Sequence, residues 1–140
     1  MTGHPTTDEI IRILELEPHP EGGWFRETWR DTPAGEGRGN GTAIYFLLPG
    51  DVDNRWHRVD AVEIWHHLAG APLDLSITTD VDAAPVTTHR LGTDLVAGER
   101  PQGIVPAHQW QRAKSLGAWT LVSCTVSPAF EFSGFEMLER

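Results

Sequence analysis

The residues best suited to chemistry lie on, and just before, one predicted strand at positions 62–69. Side chains alternate between the two faces of a strand, so Glu63, Trp65 and His67 share one face. His57 precedes Glu63 by six positions. An imidazole that a carboxylate orients is a competent general base near neutral pH. His57 and Glu63 are therefore the catalytic candidates, and they predict proton transfer on a small polar molecule.

The face that carries Glu63 admits two placements. The opposite face of the strand is apolar and is formed by Val62, Ile64, His66 and Leu68. If the Glu63 face points inward, it must line a polar cavity, because buried carboxylates and imidazoles need partners. If it points to solvent, its polar residues need no further explanation. Alternation alone leaves both placements open.

Further candidates for ligand binding carry a polar or aromatic group that could meet a small molecule. They are Tyr45, Trp65, His67, Gln102, Trp110 and Gln111. Tyr45 could also return a proton to the substrate, and Asp60 is an alternative partner for His57. No role is assigned to His4, His19 and His89.

One helix and a series of strands must position these residues. Thr6 and Glu9 have the spacing of a capping box, and the apolar residues after Glu9 predict a short helix at about 7–14. The helix and the Pro- and Gly-rich turn after it make up residues 1–22. Beyond this turn, short segments punctuated by Gly and Pro predict strands. Their positions are 24–30, 42–48, 55–59, 62–69, 73–78, 86–91, 103–106, 109–112, 119–126 and 130–137.

Length and composition exclude several classes of protein. The chain of 140 residues suits one domain, 1–140, with a flexible Gly-rich loop at 31–41. Eleven Lys and Arg against 20 Asp and Glu give a net charge of −9, so nucleic acid and anionic membranes are unfavourable partners. Cys124 is the single cysteine, which excludes an internal disulfide. The first residues lack the features of a signal peptide, and we expect a cytoplasmic protein.

Two short patterns resemble the motifs of the cupin superfamily. His57, Glu63 and Gly70 match the spacing of the first cupin motif, although Val59 stands where that motif has a second histidine. Pro106 matches the second motif, in which Gln111 replaces the histidine.

A closer resemblance extends over nearly the whole chain. The segments 18–29, 56–67, 100–102 and 122–128 are similar to a branch of the cupins catalogued as a family of unknown function. This resemblance implies an all-β fold, a double-stranded β-helix or jelly-roll barrel with a short N-terminal helix. It also implies a homodimer, and the segment through Trp29 is apolar enough to extend a neighbour's sheet.

The resemblance also bears on metals and on function. A cupin metal site uses three histidines and a carboxylate, but Val59 cannot ligate and Gln111 is a feeble donor. We therefore expect no tightly bound metal and no cofactor; a weak site would use His57 and Glu63 with His67 or Gln111.

Some metal-free cupins are isomerases or epimerases with a histidine base, which implies such an activity on a sugar-like or other small polar molecule. Two alternatives remain open. One is a non-catalytic protein that binds a nucleobase-, sugar- or hormone-like ligand. The other is a weakly metal-dependent lyase or dioxygenase.

Overall fold

A short capped helix opens the fold. The computed structural model describes residues 4–139, and its helix α1 spans Thr7–Leu14. The hydroxyl of Thr6 accepts the backbone N–H of Glu9 at 3.2 Å, and the Glu9 carboxylate accepts the backbone N–H of Thr6 at 3.2 Å. The residue that caps the end of the helix, Glu15, has a left-handed φ of 55°. The predicted capping box and helix are thus confirmed.

The rest of the described chain consists mainly of strands. They are β1 (Glu17–Pro18), β2 (Trp24–Arg30), β3 (Thr42–Pro49), β4 (His57–Val59), β5 (Val62–Gly70), β6 (Leu73–Thr78), β7 (Thr87–Leu91), β8 (Gln102–Val105), β9 (Trp110–Ser115), β10 (Trp119–Ser127) and β11 (Phe135–Met137). A 3-10 helix at Phe132–Gly134 interrupts the strand predicted at 130–137. Strand β1 was not predicted, because two residues are too short to show a periodicity.

The strands form two antiparallel sheets. The larger sheet has the order β1-β2-β3-β10-β5-β8, and the smaller has the order β11-β4-β9-β6-β7. Neighbours that are distant in sequence, such as β3 and β10, give the crossed connections of a jelly roll. The predicted all-β jelly-roll class is confirmed, but the two sheets remain separate and do not close into a barrel by hydrogen bonds.

The core lies between the two sheets. It consists of Phe46, Leu48, Trp65, Leu73, Leu75, Ile77, Leu91, Val105, Ala113, Val122 and Cys124. Helix α1 packs on the outer face of the larger sheet, where Ile10 and Leu16 meet Leu47 and Trp119. No helix within residues 4–139 is long and apolar enough to cross a membrane.

The register of β5 decides which of its faces points inward. Glu63 and Trp65 lie opposite Val126 and Cys124 of β10, and all four residues are buried. Val62 and Leu68, on the apolar face, are 39% and 49% exposed. The polar face of this strand is therefore the inner one, which resolves the question that the sequence left open.

Hydrogen bonds and an ion pair tie the loop at 31–41 to the body of the protein. The Arg38 guanidinium donates to the carbonyl of Ala129 at 2.7 Å and lies 2.7 Å from a carboxylate oxygen of Asp60. Asp60 is thereby engaged with Arg38, so the alternative in which it orients His57 has no support from these contacts.

Candidate active site

His57 begins β4 and is almost fully buried, with 1% of its surface exposed. Its Nδ1 lies 2.8 Å from the carbonyl oxygen of Arg55. A carbonyl only accepts, so Nδ1 carries a proton. Its Nε2 lies 3.0 Å from Oε2 of Glu21. Both ring nitrogens are therefore engaged, one by a carbonyl and the other by a carboxylate.

The surroundings of His57 make the ring a cation at neutral pH. Burial by itself lowers the pKa of His57, but the charge of Glu21, the hydrogen bond to Glu21 and the charge of Glu63 outweigh burial and raise this pKa to about 9. The sequence predicts a neutral imidazole that acts as a base. In the structure His57 is a fixed imidazolium, because its counter-charge is buried with it.

Glu21 supplies that counter-charge from the turn between β1 and β2. Burial raises its pKa, but the charge of His57, the hydrogen bond to His57 and smaller contributions more than compensate, and the pKa is lowered. Asn54 donates from Nδ2 to Glu21 Oε2 at 2.8 Å. The other end of this amide accepts the backbone N–H of Ala113 at 2.9 Å, which fixes its orientation. Glu21 and His57 thus form a buried and well-supported ion pair.

Glu63 is held by a relay of hydrogen bonds from the core. The indole N–H of Trp65 donates to Oε1 of Gln111 at 2.8 Å, and Nε2 of Gln111 donates to Oε1 of Glu63 at 2.8 Å. An indole only donates, so the amide of Gln111 has one possible orientation. The relay engages Oε1 of Glu63, and the thiol of Cys124 is a further hydrogen-bond partner of this carboxylate.

The pKa of Glu63 is raised to about 7. Burial is the main cause; the charge of His57 lowers the pKa, the charge of Glu21 raises it, and the hydrogen bond from Gln111 lowers it. Glu63 therefore exchanges its proton in the neutral range, which is where a general acid or base is most effective. The thiol of Cys124 lies nearby, and burial raises its pKa, so it stays protonated.

These groups line one end of a small, partly open cavity of about 40 Å³. A water needs about 10–15 Å³ of such space, so the cavity has room for about three waters. Its polar end is formed by His19, Glu21, His57 and Glu63. The remaining walls are mainly apolar and consist of Phe25, Thr42, Ile44, Val59, Cys124, Val126, Phe130 and Phe135.

His19 is the fourth polar group of the cavity. Its Nδ1 accepts the backbone N–H of Glu21 at 3.2 Å and lies 3.3 Å from the Glu21 carboxylate. Burial lowers the pKa of His19; Glu21 raises it and His57 lowers it further, and the net shift is downward. His19 is therefore neutral at neutral pH, in contrast to His57.

The structure brings together the two predicted catalytic residues and two of the predicted ligand-binding residues. His57 and Glu63 line the cavity, while Trp65 and Gln111 support Glu63 from behind. His67 faces inward further along β5, where its Nε2 contacts the carbonyl of Ala71 at 3.0 Å.

None of the six predicted ligand-binding residues is among those that line the cavity, and Tyr45, Gln102 and Trp110 also take no part in the hydrogen bonds that support Glu63. Tyr45 and Gln102 lie on the outer face of the larger sheet, where Gln102 contacts His66 at 3.2 Å. Trp110 packs beneath the guanidinium of Arg58, at 4.6 Å from the ring centre. Tyr45 faces outward because side chains alternate along a strand and its neighbours on β3 face the core. The polar or aromatic character of a side chain does not by itself determine which way it points.

Sequence reasoning missed His19 and Glu21. Both lie in the Pro- and Gly-rich turn before β2, where polar residues are common and are usually solvated. The one available signal was the resemblance, since this turn falls within the first matching segment, 18–29.

The donor set does not fit the metal site that the cupin resemblance implies. Val59 carries no donor atom, and Gln111, which pairs with His57 across the strands, is engaged with Trp65 and Glu63. Among residues 4–139, no group of three or more His, Cys, Asp or Glu side chains is arranged to hold a metal ion. We therefore derive no chemical step through a metal.

Comparison with known proteins agrees with this fold. The crystal structure of protein SO0799 from Shewanella oneidensis is 37% identical, with a TM-score of 0.88, covering 96% of this chain and 85% of that chain. A hypothetical protein from Leishmania major is 30% identical, with a TM-score of 0.82, covering 94% and 86%. Streptomyces PAC13, solved with uridine, shares the fold at 12% identity and a TM-score of 0.55, covering 99% and 92%.

None of the curated proteins compared with this chain matches it. The family model described as Cupin superfamily (DUF985) matches residues 8–138. The chain therefore belongs to this family of cupins.

Proposed function

We propose that this cupin is a metal-independent isomerase that moves a proton within a small molecule held in the cavity. Glu63 is the group that takes and returns the proton. The observation that carries the proposal is the position of Glu63: it is buried at the polar end of a small cavity, and its pKa is raised to about 7. Such a carboxyl group can act as a base and then as an acid at the same pH.

The proposed reaction begins with Glu63 as a carboxylate. It takes a proton from a carbon next to a carbonyl group, and the electrons of the broken C–H bond form an enolate. Where a carbon–carbon double bond adjoins the deprotonated carbon, the charge extends over it, and the carboxylic acid returns the proton to the far carbon of that double bond. The double bond moves by one position, and no atom is gained or lost. The His57 imidazolium is held by Glu21 and by the carbonyl of Arg55, so it exchanges no proton with the substrate. His57 therefore serves as a fixed cation, and Glu63 takes the part that the sequence predicts for His57.

A non-catalytic binding protein is the second candidate. It is favoured by the His57 ring, which is held on both nitrogens and sealed from solvent. Streptomyces PAC13, which shares only the fold, was solved with uridine, so a fold of this kind can hold a small molecule. The alternative of a weakly metal-dependent lyase or dioxygenase is less well supported, because the donor set does not suit a metal.

Hydrogen–deuterium exchange tests the proposal. The probe is cyclopentanone, a small ketone that can form an enol, incubated with the protein in D₂O and followed by proton NMR. We expect the wild type to accelerate exchange next to the carbonyl, with a rate that rises through about pH 7 because the carboxylate is the active form. Glu63→Gln should lower this rate by about 100-fold or more.

The matched control is Glu36→Gln, which removes the same charge from an exposed site in the loop. It should exchange the ketone at the wild-type rate. If Glu63→Gln also kept the wild-type rate, Glu63 would not be the acid–base group. If the wild type bound cyclopentanone without exchanging it, the binding protein would be the better description.

We also propose that the chain forms a homodimer through the outer face of its larger sheet. One row across this face is free of charged residues although the net charge is −9. Strand register places Trp29, Ala43, Thr125, Ile64 and Ile104 side by side in it. Trp29 and Ile104 are 55% and 58% exposed. A second copy suits this row, because two acidic chains approach most easily where neither presents a carboxylate.

Light scattering after size exclusion tests the dimer. The expected mass is about 31 kDa, twice the 15.5 kDa of one chain. Ile104→Lys should give a monomer, because it places a charged side chain in the uncharged row that would form the interface. The control is Leu95→Lys, a residue that is 57% exposed and lies outside the sheet. A wild-type mass of one chain, or a dimer unaffected by Ile104→Lys, would overturn the proposal.

A further inference from the structure

His19 is held in one protonation state by its contacts. Nδ1 accepts the backbone N–H of Glu21 at 3.2 Å. A ring nitrogen that accepts a hydrogen bond carries no proton, so the proton of the neutral ring is on Nε2. The ring is also one of the residues that line the cavity. His19 thus has one N–H left to offer.

Aromatic rings hold His19 in place without using that N–H as a conventional donor. Phe25 meets the ring edge-on at 4.7 Å, and Phe46 and Phe135 do so at 5.8 and 5.9 Å. None of these side chains carries an oxygen or nitrogen acceptor. Among residues 4–139 the structure shows no acceptor for this N–H, and a polar atom of a ligand in the cavity that His19 lines would supply one.

The charges around the cavity indicate what kind of ligand fits. Glu21 and His57 form an ion pair whose charges offset each other, and His19 is neutral. Glu63 alternates between a neutral and a negative form. An anion would therefore find no surplus positive charge, and a cation would have to leave water for walls made mainly of phenylalanine and aliphatic side chains.

We infer that the ligand is a small, flat, uncharged molecule with a carbonyl oxygen, and that His19 donates from Nε2 to this oxygen. The inference rests on the proposed function, in which Glu63 exchanges the proton on the adjoining carbon. The phenylalanine rings at the cavity suit a flat body. A sugar fits less well, because the apolar walls would leave its many hydroxyl groups without partners.

Binding of matched probes tests the ligand class. The probes are cyclopentanone, cyclopentylamine and cyclobutanecarboxylate, which are uncharged, cationic and anionic molecules of similar size. Titrations followed by protein NMR should detect binding of the ketone only. Tighter binding of the amine or the carboxylate than of the ketone would overturn the inference on charge.

The role of His19 is tested by His19→Phe, which keeps a ring in the cavity and removes the N–H. We expect ketone binding to weaken about tenfold, as for the loss of one hydrogen bond in a dry site. His89→Phe, at an exposed histidine of β7, should leave binding unchanged. An unchanged Kd in a folded His19→Phe variant would overturn the role of His19.

Nitrogen-15 NMR of the wild-type histidines gives the same test without a variant. His19 should show the neutral form protonated on Nε2, and this N–H signal should shift when cyclopentanone binds. The Nδ1-protonated form, or an Nε2 signal that the ketone does not move, would overturn the inference. The exchange assay with Glu63→Gln reads the proposed function separately. If Glu63→Gln lost the exchange activity while His19→Phe kept the wild-type Kd for cyclopentanone, the role of His19 would be refuted. The isomerase proposal would still stand.

Discussion

Replacing Glu63 by Gln should change how the stability of this protein depends on pH. The pKa of Glu63 is about 7 in the folded protein against an ordinary value of 4.5. Because the folded state holds the proton more tightly, Glu63 contributes stability that is fully present below about pH 4.5 and is lost as the pH rises through 7. The amide introduced by Glu63→Gln cannot ionise, so the variant lacks this loss.

The size of the effect follows from the two pKa values. One pKa unit corresponds to about 1.4 kcal/mol, so the full loss is about 3 kcal/mol. Roughly 2 to 3 kcal/mol of it falls between pH 5 and pH 8. The introduced amide oxygen can still accept the hydrogen bond from Gln111, and the substitution keeps the volume of the side chain. The free energy of unfolding of Glu63→Gln, relative to wild type, should therefore rise by about 2 to 3 kcal/mol from pH 5 to pH 8.

Urea denaturation at the two pH values, followed by tryptophan fluorescence, measures this difference. Titration of the other groups is common to both proteins and largely cancels in the comparison. Glu36→Gln, at an exposed loop position, should show no such change. The difference in unfolding free energy between Glu63→Gln and wild type could instead be the same at both pH values. The pKa of Glu63 would then be ordinary, and the proposed acid–base role would have no basis.

Three other substitutions test the supports of the site. Glu21→Gln should destabilise the fold by about 3–5 kcal/mol in urea, because it leaves the His57 cation without its partner at 3.0 Å. NMR titration should show a lower pKa for His57 in this variant, and an unchanged pKa would contradict the ion pair. Gln111→Leu should cost about 2–4 kcal/mol, since it strands the indole N–H and the carboxylate oxygen that the amide joins; a near-neutral result in urea would mean that water replaces the relay. Gly70→Ala should cost about 1–3 kcal/mol in thermal or urea unfolding, because φ is +86° and a Cβ would lie 2.6 Å from the Trp119 ring; a wild-type stability would show that the backbone relaxes there.

Local sequence patterns predicted the elements of this fold well. The capping residues and apolar spacing of the first segment specify α1, whose observed bounds are those predicted. Strands β2 and β6 also match their predicted bounds, because their alternation and flanking turn residues are local signals. The 3-10 helix before β11 was missed, since a short turn of this kind carries no distinct periodicity.

Alternation predicted that Glu63 and Trp65 share a face, but it could not tell which face is inside. The usual rule would bury the apolar face that includes Val62 and Leu68. The structure buries the polar face instead, because Gln111 and the Glu21–His57 pair give Glu63 partners there. Those partners come from other strands and from a distant turn, so no window of sequence around β5 contains them.

The sequence by itself determined the jelly-roll elements, the pairing of His57 and Glu63 as candidates, and the poor set of metal donors at Val59 and Gln111. Only the tertiary structure brought His19 and Glu21 from the turn before β2 to the cavity. It also decided the charge states, in which His57 is a cation and Glu63 titrates near neutrality. The physical reason is that an ionisation equilibrium depends on burial and on nearby charges, and both are set by contacts between residues that are far apart in the chain.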